Sequence, residues 1–199
     1  MTDRDTLSGH DAGRTSHSRK PGAGHQRLNV FVGTWHTEGQ QWEGPIGSAA
    51  NIRAVETYEW LPGEFFLVHR FEGRVGDGEA GCIEIIGYDA QSQSYPTHTF
   101  YNNGLANGWE SHERDGSWTL AGDWQMPGKS VKVRCTTAFS DAGNTMRSKW
   151  EQSSDGSTWE TFWDVKASKA NWMAPGRSSS ALPSSDGSLR QGRLPHKVL

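Results

Sequence analysis

Residues 28–169 consist of short runs of alternating polar and apolar residues, separated by turn-forming residues. This alternation is typical of β-strands with one buried face, and no segment has a helical period of useful length. In the run 129–139 the predicted buried face comprises Val131, Val133, Cys135, Thr137 and Phe139. About ten such runs joined by short turns favour an all-β, up-and-down antiparallel barrel, because closure removes exposed sheet edges.

The stretch 58–70 predicts a hairpin within this meander. Pro62 presets the backbone of the first central turn position, and Gly63 accepts the positive φ that a type II turn needs next. The predicted strands are one that begins at Thr34, followed by 52–60, 65–74, 82–88, 95–102, 108–114, 117–124, 129–139, 145–152 and 159–167.

The two ends of the chain differ in composition from the strand region. Residues 1–26 and 170–199 are rich in Ser, Gly, Asp and Arg and poor in apolar residues. Such segments bury too little surface to offset the entropy of ordering, so we predict two disordered tails around one domain, residues 27–169. Within that domain, residues 28–32 predict a short helical turn that plugs one end of the barrel.

Composition restricts the classes of function. The net charge of −3 and the pI of about 6.2 give no general attraction to nucleic acid or to an anionic membrane. No apolar segment has the length of a signal sequence core or a membrane span, which predicts a cytoplasmic protein. Cys82 and Cys135 lack metal-site spacing, and we expect two free, buried thiols.

Ionisable residues at inward-facing strand positions are the candidates for a catalytic or ligand-binding role. Glu56, His69, Glu84 and His98 all lie in predicted strands, and a barrel of this size either fills with side chains or encloses a small ligand. A Glu–His pair inside the barrel could act as a general acid and base. The same groups could instead satisfy one another by hydrogen bonds or face solvent. For residues 65–71 the sequence leaves open whether the face with His69 or the opposite face, with Phe66, is the interior one.

Aromatic residues supply the candidate ligand contacts. Ten tryptophans are available, and large rings can line a pocket. The predicted ligand-binding residues are Tyr58, Trp60, His69, Glu84, Tyr88, His98, Trp150 and Trp163.

These residues allow three functions. The first is a barrel that binds a small, largely apolar molecule. The second is an enzyme of isomerase or cyclase type that uses Glu and His, and the third is an interaction module with a filled core. The sequence leaves open whether the protein is an enzyme and whether it forms a homodimer.

No histidine pair has zinc-site spacing, and no nucleophile motif or phosphate loop is present, so we predict no metal and no cofactor.

Several sequence blocks resemble a known family. Gly33-Thr34-Trp35 looks like the Gly-x-Trp opening of lipocalin-like (calycin) barrels, and the ordered blocks 31–39, 58–70, 84–89, 143–146 and 149–151 together resemble the DUF1579 family of small bacterial proteins. The resemblance implies a lipocalin-like barrel over about residues 28–169 and no particular activity.

The nitrobindin barrel, a more distant relative by shape, holds haem through a histidine near its last strand. Residues 159–167 contain no histidine, which argues against a haem role.

Overall fold

The first and last strands of the chain pair with each other and close a ten-stranded antiparallel barrel. The computed structural model describes residues 20–126 and 128–170. Most of the two predicted tails, residues 1–19 and 171–199, therefore lies outside the described residues. Each strand pairs with its neighbours in the chain, so the predicted up-and-down barrel is confirmed. The strands are β1 (Gly33–Gln41), β2 (Ala50–Trp60), β3 (Leu67–Val75), β4 (Gly78–Ile86), β5 (Tyr95–Tyr101), β6 (Ala106–Arg114), β7 (Ser117–Met126), β8 (Lys129–Ser140), β9 (Thr145–Ser153) and β10 (Glu160–Lys169).

A short helical segment plugs one end of the barrel, as the sequence predicts. One turn of α-helix, α1 (Ala23–Gln26), continues into a 3-10 turn over Arg27–Val30. Leu28 is 1% exposed, and the indole Nε1 of Trp35 donates a 2.7 Å hydrogen bond to the carbonyl of Phe31. The plug is therefore joined to β1 by both apolar packing and a buried hydrogen bond.

Residues 23–26 differ from the prediction, which assigned them to the tail. The His25 ring lies 5.3 Å from the rings of both Phe65 and Tyr88, and the Tyr95 hydroxyl donates to the Gly24 carbonyl at 3.1 Å. These contacts with distant residues stabilise a helical turn that local composition does not predict.

The predicted Pro-Gly turn is present between β2 and β3. The Glu64 amide donates to the Leu61 carbonyl at 2.9 Å, and Gly63 has the positive φ of 96° that this turn requires. Glu64 also has a positive φ of 57°, and β3 begins at Leu67 rather than at residue 65 as predicted. The connection is thus a six-residue loop, residues 61–66, and not the four-residue connection predicted for residues 61–64.

Two apolar clusters pack inside the barrel, one towards each end. One packs against the plug and includes Leu28, Trp35, Tyr95 and Trp118. The other includes Trp109, Val133 and Phe162, with Trp124, Trp150 and Trp163 packed against it. In β10 a register shift between Thr161 and Trp163 allows the neighbouring Phe162 and Trp163 to join the same cluster. Among the described residues, every helical segment is too short to cross a bilayer.

Candidate functional site

His69 lies inside the barrel between two carboxylates. Its Nδ1 is 2.7 Å from Oε2 of Glu84, and its Nε2 is 3.0 Å from Oε2 of Glu56. Strand register produces this arrangement: His69 on β3 pairs directly with Glu84 on β4, and Glu56 lies on the neighbouring β2 two residues before Tyr58, the other pairing partner of His69. We call these three residues the carboxylate–imidazole cluster.

Hydroxyl groups satisfy the outer oxygens of both carboxylates. Thr37 donates a short hydrogen bond to Oε1 of Glu56, and the Tyr58 hydroxyl lies 3.3 Å from its Oε2. On the other side, Thr99 donates to Oε1 of Glu84 at 2.7 Å and accepts a 2.8 Å hydrogen bond from the indole of Trp109. The cluster is thus a fully hydrogen-bonded network and not a set of isolated buried charges.

The network controls the protonation of its members. Burial lowers the pKa of His69, but hydrogen bonds to Glu56 and Glu84 and the charges of both carboxylates raise it by more than burial lowers it. The resulting pKa is about 9. Burial raises the pKa of Glu84, but the hydrogen bond and positive charge of His69 outweigh this effect, so its pKa lies below the usual range. At neutral pH His69 is therefore an imidazolium that donates from both nitrogens to acceptors on either side.

The neighbouring ionisable groups stay neutral. Burial, with the nearby charges of Glu56 and Glu84, raises the pKa of the Tyr58 hydroxyl well above its ordinary value. Burial likewise raises the pKa of the Cys82 thiol, and it raises that of Cys135 to about 12. Both cysteines are free and line the interior, so they present uncharged thiols rather than nucleophilic thiolates.

The barrel is not solid. A cavity of about 540 Å³ contains the cluster and extends past Trp124, Trp150 and Trp163. This volume contradicts the filled core of the third predicted function. The cavity also reaches exposed residues at the end opposite the plug: Glu79, Asn102 and Asn103.

Strand pairing explains the position of this opening. β4 pairs with β5 only over residues 82–86, so residues 78–81 extend past the end of β5. Both Ala80 and Gly81 line the cavity there.

Six of the predicted site residues line the cavity, and they are Glu56, Tyr58, His69, Glu84, Trp150 and Trp163. In residues 65–71 the face with His69 is interior, because His69 and Phe71 line the cavity while Phe66 and Arg70 are exposed. Their roles in binding or catalysis stay predictions.

The interior position predicted for His98 is wrong. Its side chain is exposed on the outer face of β5, together with Pro96 and Phe100, whereas Thr97 and Thr99 face inward. Threonine suits the interior here because the Thr99 hydroxyl bridges Glu84 and Trp109.

Trp60 and Tyr88 are not among the residues that line the cavity. Trp60 instead donates to Asn29 at 2.8 Å beside the plug. Tyr88 follows the end of β4 and packs against His25 and Tyr95.

Four residues of the site were not predicted: Thr37, Thr99, Trp109 and Trp124. Thr37 and Thr99 are buried polar residues that alternate with exposed ones, and this period is visible in the sequence. Their partners depend on strand register, which the sequence alone does not fix. Among the described residues, no group of three or more His, Cys, Asp or Glu side chains is arranged to hold a metal ion.

Comparison with known proteins gives a family and a fold. The sequence model of a family described as "Protein of unknown function (DUF1579)" matches residues 20–169. No curated protein matches the chain. Fifteen solved chains match it, among them the crystal structure of Rv2717c from M. tuberculosis. That structure is 11% identical, has a TM-score of 0.55, and the match covers 74% of this chain and 98% of that one. At this identity the likeness concerns the fold alone.

Proposed function

Because the chain belongs to the DUF1579 family, whose description assigns no activity, we propose its function from the site itself: the barrel binds a small, largely apolar molecule in its cavity. The observation that carries this proposal is the cavity of about 540 Å³ with the carboxylate–imidazole cluster in its wall. Ligand pockets commonly have volumes of about 300–1,000 Å³, apolar and aromatic walls, and a few fixed polar groups.

The walls supply the apolar contacts and the cluster supplies orientation. Aromatic side chains from several strands line the space, including Phe71, Tyr101, Trp124 and Trp150. The cluster is rigid because nearly every polar atom in it already has a partner. A ligand would therefore meet a preformed site and would not have to order it, which favours affinity.

An acid–base enzyme is the second candidate, since His69 lies within hydrogen-bond distance of two carboxylates. Protonation argues against it. With a pKa of about 9, His69 is already protonated at neutral pH and cannot act as a base, and the lowered pKa of Glu84 makes that carboxylate a weak base. General acid–base catalysts work best with pKa values near the operating pH. Binding is therefore the better supported function.

A cavity-blocking variant tests the proposal. Ala80 lines the cavity where it reaches solvent, and Ala80→Trp would fill that entrance. The matched control is Ala121→Trp, at an exposed position of β7. We expect the full-length protein to bind the neutral apolar dye Nile red, Ala80→Trp to weaken binding at least tenfold, and Ala121→Trp to bind normally. Equal binding by the two folded variants would contradict the proposal.

The natural ligand can be sought directly. Protein isolated from its own host without denaturation is examined by native mass spectrometry, and the extra mass is then released by denaturation and identified. We expect one small organic molecule per chain. The homodimer, the bacterial origin and the cytoplasmic location predicted from the sequence stay predictions.

A further inference from the structure

The charges that line the cavity have one predominant sign. Among the described residues that line it, the acidic ones are Glu56, Glu84 and, at the opening, Glu79, and the one basic side chain is His69. No lysine or arginine lines the cavity in the part of the chain that the structure describes. Two carboxyl side chains face a single imidazole, so the interior holds more acidic than basic side chains.

The side chains of the carboxylate–imidazole cluster lie within the wall of the barrel. The side chains of Glu56 and His69 are 9% and 8% exposed, and that of Glu84 is 16% exposed. Electrostatic interactions are stronger at such positions than in water, because the surroundings are less polarisable. A bound cation would therefore interact favourably with the cluster, whereas an anion would be repelled.

A group of indoles lies next to the cluster. Trp109 donates to Thr99, which donates to Glu84, and the Trp109 ring is 6.5 Å from that of Trp150. Trp163 is 6.2 Å from Trp150 at 72° and 6.1 Å from Trp124 at 84°. Trp124, Trp150 and Trp163 line the cavity, and the steep angles between their rings turn the ring faces in different directions. Indole faces attract cations more strongly than the other aromatic rings do.

We propose that the cavity selects an organic cation: an amine or quaternary ammonium whose apolar body contacts the indoles while its charge lies near the carboxylate–imidazole cluster. This inference rests on the proposed function and narrows its ligand class. Two independent features support it, namely the excess of acidic over basic side chains in the cavity and the indole rings in its wall.

Three probes with one apolar body test the selectivity. They are 3-phenylpropylamine, 3-phenylpropanol and 3-phenylpropanoate, whose ends are positive, neutral and negative at neutral pH. Binding to the full-length protein is measured by isothermal titration calorimetry at low salt. We expect the amine to bind tighter than the alcohol and at least tenfold tighter than the carboxylate. Equal or tighter binding of the alcohol or the carboxylate overturns the inference but leaves a binding function standing. If none of the three probes binds, the inference is overturned. If Nile red does not bind either, the proposed binding function is overturned as well.

A pair of charge variants locates the cause. Glu84→Gln removes a negative charge from the cavity, and Glu72→Gln removes one from an exposed position on β3. We expect the preference for the amine over the carboxylate to fall at least tenfold in Glu84→Gln and to stay within twofold in Glu72→Gln. An equal change in both variants would assign the preference to overall charge and overturn the inference. If Glu84→Gln does not fold, the three probes on the unmodified protein decide.

Discussion

Tyr58 lies flat against His69. The two residues pair directly across β2 and β3, their ring centroids are 4.1 Å apart, and the ring planes differ by 3°. Both nitrogens of the imidazole lie in its plane, so this stacking keeps them directed at Glu56 and Glu84. A positive ring on an aromatic face is also stabilised electrostatically.

Replacing Tyr58 tests this stacking. Tyr58→Phe keeps the ring and removes only the hydroxyl, whereas Tyr58→Leu removes the ring face as well. A buried cation–aromatic contact contributes on the order of 1 kcal/mol, which corresponds to about one pKa unit. We expect the pKa of His69, measured by NMR titration, to fall by about one unit more in Tyr58→Leu than in Tyr58→Phe. Identical pKa values in the two variants would show that the stacking does not stabilise the imidazolium.

The raised pKa of His69 predicts a pH dependence of stability. It is about 9 in the folded protein and 6.5 for the ordinary side chain, so the folded state binds the proton more tightly. The resulting stabilisation is fully present below pH 6.5 and is lost as the pH rises through 9. The shift corresponds to about 3 kcal/mol of unfolding free energy. Urea unfolding between pH 6 and pH 10 measures it.

His69→Gln provides the reference for that measurement. Glutamine can still donate a hydrogen bond to a carboxylate but does not titrate. We expect this variant to be less stable than the parent at pH 6 and to lose far less stability between pH 6.5 and pH 9. If both proteins lose stability in parallel over this range, another group causes the loss.

Alternation along the strands predicts the barrel and much of its interior, but β5 shows where the pattern fails. The outer face of this strand carries Phe100 and His98, and its inner face carries Thr97 and Thr99. Tyr95 and Tyr101 share the inner face, so each face carries both aromatic and polar residues and hydrophobicity alone does not decide which one is buried. The threonines are accommodated inside because Thr99 donates a hydrogen bond to Glu84, its pairing partner on β4, and such a partner is known only once strand register is known.

The helical plug accounts for the other differences. Trp60 and Tyr88 follow the alternation of their strands up to the strand ends, where each packs against the plug region instead of the cavity. The sequence predicts that residues 28–32 form a plug but does not reveal which side chains it covers. Local pattern thus gives the wall of the barrel, whereas the ends depend on contacts between residues far apart in the chain.

Thr99 connects Trp109 to Glu84, and its loss would affect both. Thr99→Val keeps the shape of the side chain but leaves the indole N–H of Trp109 and one oxygen of Glu84 without a partner. Each buried group left unpaired costs about 1–3 kcal/mol, so we expect a loss of about 3 kcal/mol in unfolding free energy.

The control for this change is Thr97→Val, on the same face of β5. The Thr97 hydroxyl makes only a 3.4 Å contact with the Tyr95 carbonyl, so we expect a change of less than about 1 kcal/mol. Urea unfolding measures both variants. Similar losses at the two positions would mean that the hydrogen-bond chain through Thr99 adds nothing to stability.

Gly39 lies on β1 at the seam that closes the barrel. Gly39 pairs with Ile52 on one side and Val165 on the other, and a Cβ at this position would lie 2.2 Å from the Asp164 carbonyl oxygen and 2.7 Å from the Cα of Val165. Backbone atoms of a paired strand cannot move aside without opening the seam between β1 and β10. Overpacking of this kind costs about 1–3 kcal/mol, and we expect Gly39→Ala to lower the unfolding free energy by about 3 kcal/mol.

Gly108→Ala is the matched control on β6, because the nearest atom to an added Cβ there is Nδ1 of His98 at 4.0 Å. Alanine fits at that site and restricts the unfolded chain, so we expect stability to be unchanged or raised by up to about 1 kcal/mol. Hydrogen exchange measured together with urea unfolding then locates the effect of Gly39→Ala. Faster exchange confined to the amides of β1 and β10 supports strain at the seam, whereas uniform protection with unchanged stability would contradict it.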